Sequence, residues 1–367
     1  MLLRDLDFDL PPELIAQTPA EPRESARLLH VRRSSGEFGH YTMRDFPRLL
    51  RPDDLLVFND SRVLRARLLG TRASGGKVEA LLLEEEAPNC WRALLKPSNR
   101  LRSGETVRFG EVEAILGERD GAEWHLKLRP PDGGDVRAYL PEIGQVPLPP
   151  YIHTEASEER YQTTFARADP KIAGIALDSS AAPTAGLHFS PALFEALRER
   201  GVGWTFVTLA VGTGTFAPVK VENLDDHVMH AERYFVSPEA AGVINAQKAG
   251  GKRVVAVGTT SVRTLESAAR ADEGVASGWG ETRLFLKPGA RFRVVDALLT
   301  NFHLPRSTLL ALVAALAEAR NETRDENFPN GENGSNSRGL TLMRAAYREA
   351  IAHRYRFFSF GDALFLE

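Results

Sequence analysis

Residues 253–270 read RVVAVGTTSVRTLESAAR, and the change of character at Gly258 decides the fold. Val254 to Val257 form a fully apolar run, the pattern of a strand buried on both faces. Thr259, Thr260 and Ser261 then stand at a helix start. The same alternation recurs on either side. Ser190-Pro191 opens a helix that Gly201 stops, and GWTFVTLAVG follows as a strand. Ser237-Pro238 opens a second helix that ends at Gly250-Gly251. TRLFLKPG and FRVVDALLTNF read as further strands, STLLALVAALAEA and LMRAAYREAIAHRY as helices, and FFSFGDALFLE as the closing strand. Such alternation predicts an α/β layer structure.

Upstream the rhythm differs. RARLLGT, KVEALLLEE, CWRALLKP, ETVRFG, VEAILGE, EWHLKLRP and VRAYLP recur about every ten residues, separated by turn signals such as Ser74-Gly75-Gly76 and Asp132-Gly133-Gly134. This predicts a small all-β barrel. DLLVFNDSRV, before that block, is again strand-like. The expected architecture is therefore mixed α/β with an inserted barrel: a discontinuous α/β catalytic domain over residues 1–63 and 149–367, and a barrel domain over 64–148. The asparagine-rich stretch 321–338 has no period and reads as a disordered surface loop.

Bulk properties narrow the function. A chain of 367 residues suits two domains, and a net charge of −3 argues against wholesale polyanion binding while leaving room for a local basic patch. The longest apolar run, Leu309 to Ala317, is far short of a membrane span, and the start, MLLRDLDFDLPPEL, has acids and prolines where a signal peptide needs an apolar stretch. Cys90 is the only cysteine, so the chain's own thiols make no disulfide, cysteine-rich zinc site or iron–sulfur cluster. A reducing cytoplasm is expected.

Candidate chemistry gathers in six places. AAPTAGLHF, residues 181–189, sets Thr184 and His188 in a rigid, uncharged loop just ahead of the Ser190 helix. TNFHLPRSTLL places Asn301 and His303 before Ser307, again at a strand end leading into a helix. Ligands of α/β proteins collect at such carboxyl ends. Thr259, Thr260 and Ser261 offer backbone N–H groups and hydroxyls to an anion, with Arg263 one turn in; plain N-capping is the other reading. Gly212-Thr213-Gly214-Thr215 is either a strand-end turn or a loop where backbone meets ligand. His227 and His230, followed by Glu232, would share a face on a helix and suggest zinc, but no third ligand is placed, and substrate hydrogen bonding is preferred; no metal is expected. Between Ser61 and Val78 stand Arg62, Arg65, Arg67, Arg72 and Lys77 without an acid, and Arg92, Lys96, Arg100, Arg102 and Arg108 follow. On strands these would track phosphates or simply face solvent.

FDLPPELIAQTPAEPRESARLL, LLVFNDSRVLRARL, AAPTAGLHF, VGTGTFAPV, HVMHAERY, AVGTTSVRTLES, TRLFLKPGARFRVVDALLTNFHLPRSTLL and YRFFSFGDALFL occur in this order from Asp7 to the end of the chain. As a set they closely resemble the S-adenosylmethionine:tRNA ribosyltransferase-isomerase family of queuosine biosynthesis. Ala210 departs from it, standing where a histidine often precedes the VG-GTF loop. The resemblance implies transfer and isomerisation of the ribosyl part of S-adenosylmethionine onto a 7-aminomethyl-7-deazaguanine base at the tRNA wobble position. Epoxyqueuosine forms, and adenine and methionine leave. It implies no separate cofactor, since S-adenosylmethionine is consumed; a monomer without membrane contact is expected beside it.

On this reading His188, His303 and Asn301 are the catalytic group. His188 takes a proton with a pKa near operating pH, remote from carboxylates, while Asn301 and His303 orient a base or protonate adenine. The expected substrate-binding set is Thr184, Gly212, Gly214, Thr215, His227, His230, Glu232, Thr259, Thr260, Ser261 and Arg263. The anion at Thr259 and Thr260 is the methionine carboxylate or an RNA phosphate. Arg62, Arg65, Arg67 and Lys96 are the expected tRNA contacts. Two rivals stand beside it: a hydrolase using Ser180 or Ser307 with a histidine, and a non-catalytic RNA-binding protein.

Overall fold

The computed structural model describes residues 1–154, 158–169, 171–172, 174–212, 219–270, 274–319 and 337–367. The chain enters through β1 (Arg27–Val31), β2 (Phe38–Thr42), the short helix α1 (Phe46–Leu49) and β3 (Leu55–Asn59). β4 (Arg67–Arg72), β5 (Lys77–Ala87), β6 (Cys90–Lys96), β7 (Thr106–Phe109), β8 (Val112–Asp120) and β9 (Glu123–Arg129) follow, then α2 (Leu140–Ile143) and β10 (Gly144–Gln145). After the hairpin β11 (Lys171–Ile172) and β12 (Ile175–Ala176) come α3 (Pro191–Glu199), β13 (Gly203–Leu209), β14 (Glu232–Val236), α4 (Pro238–Ala249), β15 (Val254–Val257) and α5 (Thr259–Ala268). A second hairpin, β16 (Ala269–Arg270) and β17 (Gly274–Val275), leads to β18 (Gly278–Thr282), β19 (Ala297–Asn301), α6 (Thr308–Glu318), α7 (Arg338–Ala352) and β20 (Ala363–Leu366).

Strands from before and after the barrel share one sheet, in the order β18-β14-β13-β3-β15-β19-β20-β1-β2. Its centre, β13-β3-β15-β19, is parallel. The apolar runs explain why: Leu55 and Val57 face one core with Val254, Ala256 and Leu298. Leu56 and Phe58 face the other with Val255, Val257 and Leu299. Each residue of these strands thus has a core to enter, as a parallel sheet covered on both faces requires. The barrel closes as β4-β5-β6-β9-β8-β7, with β7 pairing back onto β4. Trp91, Ala93 and Leu95 of β6 and Trp124, Leu126 and Leu128 of β9 alternate into its interior.

Three expectations are corrected. VRAYLP is not a strand: Asp135 accepts from the Arg137 N–H and Pro141 sits in the first turn of α2, so the segment winds into helical turns. TRLFLKPG contributes only Thr282 to a strand. Its backbone serves side chains instead, the Leu284 N–H donating to Thr282 Oγ1 and the Leu284 carbonyl accepting from Arg263 Nε. The stretch expected to be disordered through 338 runs into a helix, since Ser337 caps α7 and Arg338 begins it; residues 321–336 lie outside the described residues.

Candidate functional site

The parallel strands β3, β13, β15 and β19 deliver their carboxyl ends to one edge of the sheet, where five of the candidate residues meet. A small cavity there is lined by Thr184, Thr259, Thr260, Asn301 and His303, together with Tyr151, Phe358 and Ser359. Beside it, sharing Val211, runs a wider cleft of about 620 Å³ between the barrel and the α/β sheet.

α5 presents an open N-terminus to the cavity. Its N-cap is Gly258, at φ +88°, a conformation that suits glycine and supplies no capping side chain. The hydroxyls behind it do not cap either: Ser261 Oγ donates back to the Val257 carbonyl, and Thr260 Oγ1 is buried without a partner among the described residues. The N-capping reading of these hydroxyls therefore fails, and first-turn N–H groups stay available to an anion. Arg263 is committed elsewhere. It is buried against Glu232 in an ion pair, and its Nε donates to the Leu284 carbonyl at 3.2 Å. Glu232 Oε1 in turn accepts from the Gly212 N–H at 3.0 Å. The pair thus anchors the turn after β13, with one Arg263 terminal nitrogen left without a partner among the described residues.

The two imidazoles differ in placement. His303 lines the cavity, its Nε2 3.0 Å from Thr300 Oγ1 and its backbone N–H donating to the Tyr347 hydroxyl at 2.9 Å. Part of its side chain stays accessible, yet burial drives its pKa down to about 3. His188 ends a 3₁₀ turn, Thr184–His188, and is buried away from the cavity lining. Burial pushes it down to about 4, against the opposing pull of Asp362 and of the Asn301 amide beside it. Two expectations about His188 are thereby corrected: its pKa lies well below operating pH, and a carboxylate, Asp362, is close enough to act on it. Its Nε2 and Asn301 Oδ1 are both buried with no partner besides each other among the described residues.

Asn301 is held rigidly. Its Nδ2 donates to the carbonyls of Phe358 at 2.9 Å and Ser359 at 3.3 Å. Phe358 adopts φ +72°, a left-handed conformation that a bulky side chain rarely takes. The Tyr151 ring lies tilted against it, 4.9 Å between centroids, and its hydroxyl is hydrogen-bonded to Ser359 Oγ at 2.7 Å. No role for Tyr151, Phe358, Ser359 or Asp362 was legible from residue type. The available signals were only the position of FFSFGDALFL beside the strand end and a lone tyrosine in the linker after the barrel.

The wider cleft carries Ser180, Gly212, His230 and Glu232 on one wall and Trp91, Arg92 and Arg137 on the other. Arg137 lies over the Trp91 ring, 4.8 Å to its centroid, and joins Asp178 at 2.6 Å and Glu85, tying the barrel to the segment after β12. His227 and His230 do not share a helix: the 3₁₀ turn Leu224–Asp226 ends before them, leaving His227 half-buried against Phe285 and His230 exposed. Gly214 and Thr215 lie outside the described residues. Ser307 caps α6 and donates to the Leu304 carbonyl, and no serine is hydrogen-bonded to a histidine among the described residues, so the hydrolase has no nucleophile–base pair.

The basic block is largely self-neutralised. Arg67 is forked onto Glu79, Arg72 pairs with Glu105, Arg92 with Glu84 and Glu123, and Arg108 with Glu113. Arg65 donates to the Pro141 carbonyl and Arg62 to that of Arg167. Lys96 is exposed and has no ion pair among the described residues.

Comparison with known proteins agrees with the resemblance seen in the sequence. A family model of queuosine biosynthesis proteins matches residues 3–325 and 335–366. A relative from Symbiobacterium thermophilum, named S-adenosylmethionine:tRNA ribosyltransferase-isomerase, is 48% identical over 100% of both chains. One of the same name from Thermus thermophilus is 47% identical over 99% of both. Among solved structures, an S-adenosylmethionine tRNA ribosyltransferase from Thermotoga maritima is 34% identical, with a TM-score of 0.54 over 99% of this chain and 100% of that one.

Proposed function

The chain belongs to the queuosine biosynthesis protein family along its length, and from that premise we propose that it transfers and isomerises the ribosyl part of S-adenosylmethionine onto 7-aminomethyl-7-deazaguanine in the tRNA anticodon. Adenine and methionine leave, and epoxyqueuosine remains on the tRNA. The observation that carries this reading is the uncapped N-terminus of α5 opening into the same cavity as Asn301 and His303.

The donor's sulfonium acidifies its neighbouring C5′ protons, so a neutral base beside them begins the reaction. His303 touches substrate in this reading. Burial holds it unprotonated at neutral pH, the form that accepts a proton, and the same burial makes it a weak acceptor whose imidazolium the site must stabilise as the proton moves. Asn301, its amide fixed by two carbonyls, orients the reacting ring, and His188 acts from behind it as a positioning residue. Thr259, Thr260 and the first-turn N–H groups of α5 hold the carboxylate of the methionine part. The wider cleft, with Trp91, Gly212 and His230 on its walls, takes the anticodon base. The enzyme works as a cytoplasmic monomer without a bound cofactor, and no helix among the described residues is long and apolar enough to cross a membrane.

Incubating the full chain with tRNA bearing the aminomethyl base and S-adenosylmethionine is expected to give a mass gain on that nucleoside, with one adenine and one methionine released per modification. RNA binding without any mass gain would leave the non-catalytic reading standing. Lys96→Ala is expected to lower the salt slope of tRNA binding by about one contact. Arg67→Ala should lower it less, because Glu79 already neutralises that guanidinium. Equal slopes for the two variants would show that the Arg67–Glu79 pair opens on RNA.

A further inference from the structure

Among the described residues, the group of three or more side chains able to hold a metal lies away from the cavity, at His40, Glu349 and His353. His40 sits in β2, the outer edge of the large sheet and three strands beyond β19. Glu349 lies in the last turns of α7, and His353 is that helix's C-cap, so both project from one face four residues apart. Each offers one ligand atom, and the three atoms lie within 4.8 Å of one another. His40 Nε2 is 3.1 Å and His353 Nε2 3.0 Å from the same oxygen, Glu349 Oε1. The two imidazole centroids are 4.4 Å apart.

We propose that His40, Glu349 and His353 form a zinc site that fastens the edge strand β2 to the C-terminal end of α7. Two histidines and a carboxylate are a donor set zinc takes, at bonds of about 2.0–2.2 Å. Small rotations of these solvent-facing side chains bring all three atoms to such a centre, and water completes the shell.

The surroundings favour a cation between them. His40 Nδ1 meets the Tyr355 hydroxyl at 3.0 Å, and that hydroxyl has the Leu28 carbonyl as its own acceptor at 3.4 Å. Glu349 Oε1 faces the Nε2 atoms of both histidines, so a cation seated among the three meets one anionic and two imidazole donors. Tyr355 acts as the outer partner that orients a metal-bound histidine. Arg27 lies over the Tyr355 ring at 3.8 Å and donates to the His353 carbonyl, so it braces the scaffold. An exposed edge strand is a liability that proteins cover or pin, and this site pins it.

The test is calorimetric titration of the chelator-treated full chain with zinc chloride. One equivalent is expected to bind saturably and to raise the melting temperature. His40→Ala and His353→Ala should each weaken binding by about tenfold or more, and the double variant should lose both the binding and the thermal shift. Both side chains are solvent-facing, so the metal-free variants should melt close to the metal-free wild type. Absence of saturable binding in the wild type would overturn the proposal, leaving Glu349 as a shared acceptor of two histidine N–H groups. Binding that survives the double variant but disappears in His230→Ala would overturn it too, moving the metal to the cleft.

Discussion

Arg263→Met is expected to lose about 3–5 kcal/mol of folding stability, the cost of stranding one member of a buried ion pair. Both partners are nearly inaccessible, Arg263 at 6% and Glu232 at 6% relative exposure, so water cannot replace the missing guanidinium. The loss should appear as a lower urea midpoint at unchanged slope. Arg263→Met with Glu232→Leu should recover much of it, because an apolar pair of similar volume often replaces a buried ion pair without net cost. Activity should not return with stability. Glu232 also accepts from the Gly212 N–H, so the turn after β13 loses its anchor in the double variant. A loss under about 1 kcal/mol for Arg263→Met, the size of an exposed pair, would mean that Glu232 is satisfied without this arginine.

That ion pair marks where residue type stops informing. Arg263 one turn into a helix, beside three hydroxyl residues, has the pattern of an anion fork. Its actual partner comes from β14, and the pairing of β14 with β13 and β18 is a long-range fact absent from either local sequence. The barrel arginines follow the same logic. Ser61 to Val78 contains no acid, but antiparallel pairing sets β5 beside β4 and so brings Glu79 within reach of Arg67. Local pattern was sufficient where burial alone decides structure. β3, β13 and β15 are apolar runs of the length a covered parallel strand needs, and serine–proline and glycine signals bounded α3 and α4 correctly. It failed where side chains compete for backbone, as in TRLFLKPG, and at His188. A loop of small uncharged residues looks like an accessible perch for an imidazole. Those same residues pack tightly, Ala185, Leu187 and Phe189 among them, and the histidine goes inside with them. Smallness and neutrality were read as access when they produced burial.

His303→Ala is expected to cut kcat by about 10²–10⁴-fold, the usual contribution of a positioned base, with tRNA affinity and folding retained. His188→Ala should cost less in kcat and more in stability, since its ring fills a buried position behind Asn301. The pH profiles separate the two roles. Both imidazoles are held far below their ordinary value, to about 3 and about 4, so both are neutral throughout the physiological range. Neither produces an acidic limb in kcat near 6.5, and the rate should stay level until well below pH 5 for as long as the fold survives. Stability has the opposite sensitivity. In the unfolded chain His188 titrates near 6.5 and binds a proton that the folded protein refuses until about pH 4. Stability from this group is therefore complete above about 6.5 and is lost as pH falls toward 4, by about 3 kcal/mol. His188→Gln should make that part of the curve of urea midpoint against pH shallower, with His303 supplying the slope that remains. An acidic limb near 6.5 that vanishes in His303→Ala would show His303 to be solvated in the working enzyme. A larger kcat loss in His188→Ala than in His303→Ala would make His188 the proton acceptor, with Asn301 moving aside to admit the substrate.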